Sequence, residues 1–207
     1  MLTRWSTLIS QKLATNRSRD ETTILIAWAL SIAASFIVRP NAEGVFGGCL
    51  AVLMIAIAAV DARRFIIPNE LTAAALVLGF LYAAIRGSDP VLEALSYAAL
   101  RGAVLALAFL SLRILYRRIR GRDGIGLGDV KLAGVAGVWL DWWMISVVIE
   151  IAALAALIVY LVRLLRGRAS VRLMTKMPFG LFFAPAIWVG WLLESALFPI
   201  SSGASLQ

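Results

Sequence analysis

The chain of 207 residues contains no histidine and a single cysteine. Without histidine there is no Ser-His-Asp or Cys-His activation of a nucleophile, no imidazole proton relay and no His-ligated metal. Cys49 lies inside an apolar run, so it closes no disulfide within the chain, builds no cysteine-rich zinc site, and reads as a small buried or lipid-facing residue. Acids are scarce as well, with 12 Asp and Glu against 20 Lys and Arg and a net charge of +8. That excess is not read as a nucleic-acid signal, because the basic residues gather in the loops between apolar runs, where they set orientation across a bilayer. Nothing in this inventory calls for a metal or a cofactor.

What is abundant is apolar. Hydrophobic residues make up 61% of the chain, against about 45–50% in a soluble globular domain. Seven apolar segments are read at roughly 22–38, 45–60, 71–85, 91–115, 129–142, 144–162 and 178–199. Crossing a hydrocarbon core takes about 20 apolar residues. The expected fold is therefore all-α: a polytopic membrane helical bundle of about seven transmembrane helices. Residues 22–199 form one membrane-embedded unit, preceded by a basic cytoplasmic segment over 1–21 and followed by a flexible tail over 200–207. The fifth segment is short, so it is tilted, partly re-entrant or continuous with the sixth. Leu140-Asp141-Trp142-Trp143 reads as an interfacial turn, since Trp favours the headgroup level.

Orientation follows from counting. With the N-terminus in the cytoplasm, 17 of the 20 Lys and Arg fall in cytoplasmic segments, Arg39 and Arg86 face the far side and Arg101 lies within a span. This asymmetry predicts N-in, C-out. Leu2, Trp5, Ile9 and Leu13 share one face at helical spacing, so residues 1–21 are either a short interfacial helix or a frayed polar tail. The long polar stretch ahead of the first apolar run argues against a cleaved signal peptide. Within the membrane Arg101 and Glu150 are candidates to pair, while Glu93 and Glu194 sit nearer the outer interface.

Two aspartates stand out. Asp61 ends the second apolar run and opens Asp61-Ala62-Arg63-Arg64-Phe65-Ile66-Ile67-Pro68-Asn69; Asp129 ends Gly126-Leu127-Gly128-Asp129, with Lys131 close behind. Ionisable groups held at the membrane are functional candidates. The second span runs outward to inward and the fifth runs back, so the orientation alone puts both carboxylates at the cytoplasmic boundary. Two carboxylates that meet share a proton, as in the aspartic protease dyad. Taken singly, each has a plainer reading: Asp61 as a topology-flanking charge, Asp129 as a helix N-cap. Gly124, Gly126 and Gly128 permit positive φ and close backbone approach. Pro68 and Asn69 mark a turn and helix start before Leu71-Thr72, making the Asp61 loop a short structured connector.

These segments resemble the type IV prepilin peptidases, membrane aspartyl proteases that process prepilins and preflagellins. Asp61 through Thr72 is similar to the family's first motif, and Gly126-Leu127-Gly128-Asp129-Val130-Lys131-Leu132 to its second, Gly-x-Gly-Asp followed by Lys. Met177-Pro178-Phe179-Gly180-Leu181, followed by Ala184-Pro185-Ala186, resembles the Pro-Phe-Gly segment that starts the last helix. The resemblance implies Asp61 and Asp129 as the catalytic pair. It implies a prepilin-like membrane substrate with a short basic leader before an apolar helix, cut at the cytoplasmic face of the inner membrane. Gly126, Gly128, Lys131, Pro68, Asn69, Pro178, Phe179 and Gly180 are the candidate substrate-binding or site-shaping residues. Lys131 shapes the site, binds phosphate headgroups or simply snorkels; Pro178-Phe179-Gly180 lines a groove or only begins a helix. Because basic loops repel a basic leader, its recognition falls to apolar contacts, backbone pairing or scattered acids such as Glu70. Long members carry a cysteine-rich cytoplasmic insert and N-methylate the new terminus. This chain lacks those cysteines and resembles the short, peptidase-only form found with Flp/Tad-type pili and archaeal flagella. Its first span is additional to the six-helix core expected of short members.

Other functions fit less well. A carboxylate-dependent transporter or channel predicts acids near the midplane and repeated architecture, whereas both aspartates lie at one boundary and no repeat is visible. A presenilin-type protease shares Gly-x-Gly-Asp but expects a Tyr-Asp pair and a Pro-Ala-Leu motif; here Asp61 follows Val60, and residues 184–186 read Ala-Pro-Ala. A structural membrane protein leaves the glycine-aspartate pattern unexplained.

Overall fold

The computed structural model describes residues 21–86, 90–121, 124–166 and 178–198. The readings for 1–20 and 199–207, the N-terminal interfacial helix and the C-terminal tail, lie outside them. The described chain is seven helices: α1 Glu21–Val38, α2 Ala42–Arg64, α3 Asn69–Arg86, α4 Val91–Arg120, α5 Leu127–Trp139, α6 Trp142–Leu165 and α7 Gly180–Leu197. Six of them, all but α5, are long and apolar enough to cross a membrane. Together with the composition, this makes the protein a multi-pass helical membrane bundle.

The short α5 is the centre of the molecule. Its residues from Leu132 through Trp139 are all buried, with α3, α4, α6 and α7 packed around it. A helix wrapped by protein needs no lipid-matching length, which is why 13 residues suffice. Small residues let the neighbours close in. A Cβ on Gly137 would lie 2.6 Å from the Arg101 carbonyl oxygen, and one on Gly102 would lie 2.8 Å from Val138, so α4 and α5 touch almost backbone to backbone. The Trp139 indole donates to the Ala75 carbonyl at 2.9 Å and stacks on Tyr82 at 5.0 Å, which fixes α5 against α3.

Helix α7 packs on α2, where the Trp191 ring fills the space beside Gly47: a Cβ there would fall 2.0 Å from the ring. Helix α1 lies at the edge, mostly exposed, and is tied in by the Trp188 indole donating to the Ser35 hydroxyl at 3.2 Å. Cys49 is exposed, on a lipid-facing groove between α1, α2 and α3.

Four readings change or sharpen in three dimensions. Helix α5 is a separate element, and the interfacial turn is shorter than expected: Leu140 and Asp141 make the break while Trp142 and Trp143 already belong to α6. Glu150 is exposed and does not pair with Arg101. Arg101 instead bridges to Asp141 at 3.0 Å and donates to the Gly137 carbonyl at 3.2 Å, because α4 runs alongside α5 and meets its outer end. Glu194 is buried and pairs with Arg86 at 2.9 Å while accepting from the Asp141 N–H at 3.1 Å. Arg86, Arg101, Asp141 and Glu194 thus clasp α3, α4, the α5–α6 break and α7 together at the end opposite the two aspartates.

Candidate active site

Asp61 lies in the last turn of α2 and Asp129 in the first turn of α5. The two carboxylates, from stretches far apart in the chain, line one cavity of about 290 Å³, with Phe65, Ile66, Asn69 and Lys131 also on its wall. The chain reaches this arrangement through two compact turns. After α2, Phe65 takes a left-handed conformation (φ 55°) and its N–H donates to the Asp61 carbonyl. Ile67 then dives into the core, 8% exposed, and Pro68 precedes α3, whose first turn is closed by the Thr72 hydroxyl donating to the Pro68 and Asn69 carbonyls at 3.0 Å. On the other side, Arg113 of α4 donates to the Ile125 carbonyl at 3.1 Å and holds the glycine loop before α5.

Each carboxylate is held by a backbone donor. Asp61 Oδ2 accepts from the Leu181 N–H at 2.9 Å, at the N-terminus of α7, where unpaired amides and the helix dipole favour a negative group. Asp129 Oδ2 accepts from the Gly126 N–H at 3.0 Å, the N3-to-N-cap half of a capping box on its own helix. One oxygen of each acid is therefore positioned by main chain rather than by a flexible side chain.

The glycines serve this arrangement through space, not through φ. Gly126 has φ −73°, and among the described residues positive φ occurs at Phe65 and Gly121. A Cβ on Gly180 would stand 2.8 Å from both Asp61 Oδ2 and Ile67, and one on Gly128 2.8 Å from Ile67. Gly124 is packed on the Tyr116 ring. Ile67 is thus the pivot on which the α5 entry and the α7 entry both close.

The other expected residues divide. Lys131 donates to the Asn69 side-chain oxygen across α5 and α3, so Lys131 and Asn69 bridge two helices on the cavity wall. Pro68 acts as helix-start geometry. Pro178, Phe179 and Gly180 do not line the cavity; they lead into α7, where Phe179 is the N-cap residue and meets Phe183 in a tilted ring contact at 5.3 Å, and Gly180 packs behind Asp61. Glu70 is exposed. Sequence reasoning overlooked the Leu181 amide and Ile67. The sequence does not single out Ile67, which sits among the apolar Phe65, Ile66 and Pro68 of the same connector, and a backbone amide carries no signal at all.

Comparison with known proteins agrees with the geometry. The model of the type IV leader peptidase family matches residues 48–161. The chain is similar to a prepilin leader peptidase/N-methyltransferase of Burkholderia pseudomallei, with 36% identity over 163 residues, 77% of this chain and 50% of that protein. A prepilin leader peptidase/N-methyltransferase of Dichelobacter nodosus is 31% identical over 81% of this chain and 55% of its own length. The leader peptidase HopD of Escherichia coli is 32% identical over 69% of this chain and 88% of its own. The chain spans about half the length of the Burkholderia and Dichelobacter relatives. No solved structure matches. With the family model covering more than half of its residues, the chain belongs to the type IV leader peptidase family.

Proposed function

We propose that the protein is a membrane aspartyl endopeptidase that removes a short basic leader from prepilin-like membrane proteins at the cytoplasmic face of the inner membrane. The observation that carries this reading is the single cavity lined by Asp61 and Asp129, each with one oxygen held by a main-chain N–H. Like charges brought together do not both ionise readily, so the pair holds one proton between its members. The ionised carboxylate draws a proton from water, the water attacks the scissile carbonyl, and the protonated carboxyl donates to the developing oxyanion. On collapse the proton passes to the leaving amine. Either aspartate can begin in either role, and the scheme uses no metal or cofactor. N-in, C-out orientation delivers the cut to the cytoplasmic side, and N-methylation lies outside the activity we assign.

The test is cleavage of a cognate prepilin by the purified protein in lipid. Asp61→Asn and Asp129→Asn are each expected to lower kcat about a thousandfold or more while the protein still inserts and folds. An intact leader in the wild-type reaction, with a genuine cognate substrate, overturns the reading.

A further inference from the structure

A second, larger cavity of about 480 Å³ opens toward lipid between α3 and α4, with α5 as its floor. It is apolar along Ala73 of α3, Ala99, Ala103 and Ala106 of α4, and Gly134 of α5. Its Thr72 hydroxyl is already satisfied by the Pro68 and Asn69 carbonyls. Its lining runs from Asn69 to Phe80 on α3, about 16 Å at about 1.5 Å per residue. At its cytoplasmic end stand Asn69 and Lys131, the bonded pair that also walls the aspartate cavity. The two cavities therefore meet at one α3–α5 bridge: one polar and holding the carboxylates, the other apolar and open to the bilayer.

We infer that this groove is the docking site for an apolar helix of the substrate, the segment just beyond the scissile bond. The inference rests on the peptidase reading above. A peptide leaving the aspartate cavity toward the membrane passes the Asn69–Lys131 bridge and enters the groove. In hydrocarbon its backbone must satisfy itself, which makes it a helix. The α4 wall of the groove is Ala99, Gly102, Ala103 and Ala106, a run of small residues that suits close approach of a helix backbone, while Leu76, Phe80, Val135 and Val138 offer apolar contact. Asn69 and Lys131 then stand where the chain changes from extended peptide in the polar cavity to helix in the apolar one.

The experiment has two arms in lipid. Ala103 is exposed in the groove, so Ala103→Trp fills it without displacing the core; Ala108→Trp, exposed but outside the groove lining, is the control. Ala103→Trp is expected to lower kcat/KM for full-length prepilin at least tenfold more than for a leader peptide ending a few residues past the cut. The control changes neither. In the second arm, an Asp61→Asn, Cys49→Ala protein carrying Ala99→Cys is oxidised with prepilins bearing single cysteines along the apolar segment. Disulfides recurring every three to four residues support the docked helix. Equal effects on both substrates, or no cross-link from position 99, overturn the groove assignment, the result expected if it holds only a lipid chain. Cross-linking instead to Cys49, in a companion Asp61→Asn protein that keeps Cys49 and lacks Ala99→Cys, overturns it too, because that residue faces the groove between α1, α2 and α3. Failure of the wild type to cut either substrate overturns the peptidase reading, and the inference with it.

Discussion

At the scale of single residues, the site is built by what is missing from side chains. The positions of Asp61 and Asp129, the proposed catalytic pair, depend on hydrogen atoms standing where a Cβ would be. Gly180 is the sharpest case. Its Cβ would press on Asp61 Oδ2 and Ile67 at 2.8 Å, and Asp61 is a short side chain already committed to the Leu181 amide. The carboxylate must move, and displacements of about 1 Å at a catalytic group cost up to about 100-fold. Gly180→Ala is therefore expected to lower kcat about 10- to 100-fold, with KM little changed. At Gly126 the nearest atom to an added Cβ is Asp129 Oδ2 at 3.2 Å, a contact that a few tenths of an ångström relieves. Gly126→Ala should retain most activity. Steady-state kinetics of the two variants check the ranking, and equal losses would contradict a purely steric account. Phe65 is the other telling residue: an aromatic in a left-handed conformation where Gly or Asn is the usual choice. Phe65→Gly should leave the thermal midpoint unchanged or raised, since it removes backbone strain, offset by the entropy of a freer unfolded chain.

At the scale of elements, the helices are fastened differently at their two ends. The ends that carry Asp61 and Asp129 meet around a cavity. The opposite ends are joined by charge: Arg86 with Glu194, Arg101 with Asp141, and the Asp141 amide with Glu194. The members differ in burial, and burial decides their worth. The Glu194 side chain is 3% exposed, whereas that of Asp141 is 48% exposed. Removing the partner of a buried charge costs about 3 kcal/mol, and removing one from a half-exposed pair costs about 1 kcal/mol or less. Arg86→Met is thus expected to lower the thermal midpoint in detergent or bicelles clearly more than Arg101→Met. Helix α5 explains why such fastening is concentrated there: too short to anchor itself in both interfaces, it ends at Leu140, and its outer terminus is held by neighbours.

At the scale of the whole molecule, charge decides which way the bundle faces. The basic residues concentrate on the side where Asp61 and Asp129 open, and an N-in, C-out chain puts that side in the cytoplasm. In a Cys49→Ala background on intact cells, Leu92→Cys at the outer start of α4 should react with a membrane-impermeant maleimide. Arg64→Cys at the end of α2 should react only after lysis. The reverse pattern would place the cavity on the wrong face for a cytoplasmic cut.

Hydropathy and charge vary along one dimension, and that dimension corresponds to depth in the bilayer. For this reason the amino-acid order alone determined the helical segments, predicted the direction of each, and put Asp61 and Asp129 at the same end of the bundle, where they line one cavity. It also carried the motifs that named the family before any coordinates. Adjacency within the membrane plane is another matter, because it depends on which surfaces fit. Only the tertiary structure decided that α5 is the wrapped centre and that Arg101 meets Asp141 rather than Glu150. It alone decided that the α7 amide at Leu181 holds Asp61, and that the glycines supply room instead of unusual backbone angles. Those facts arise from close packing between distant stretches, and no local pattern of residue types encodes them.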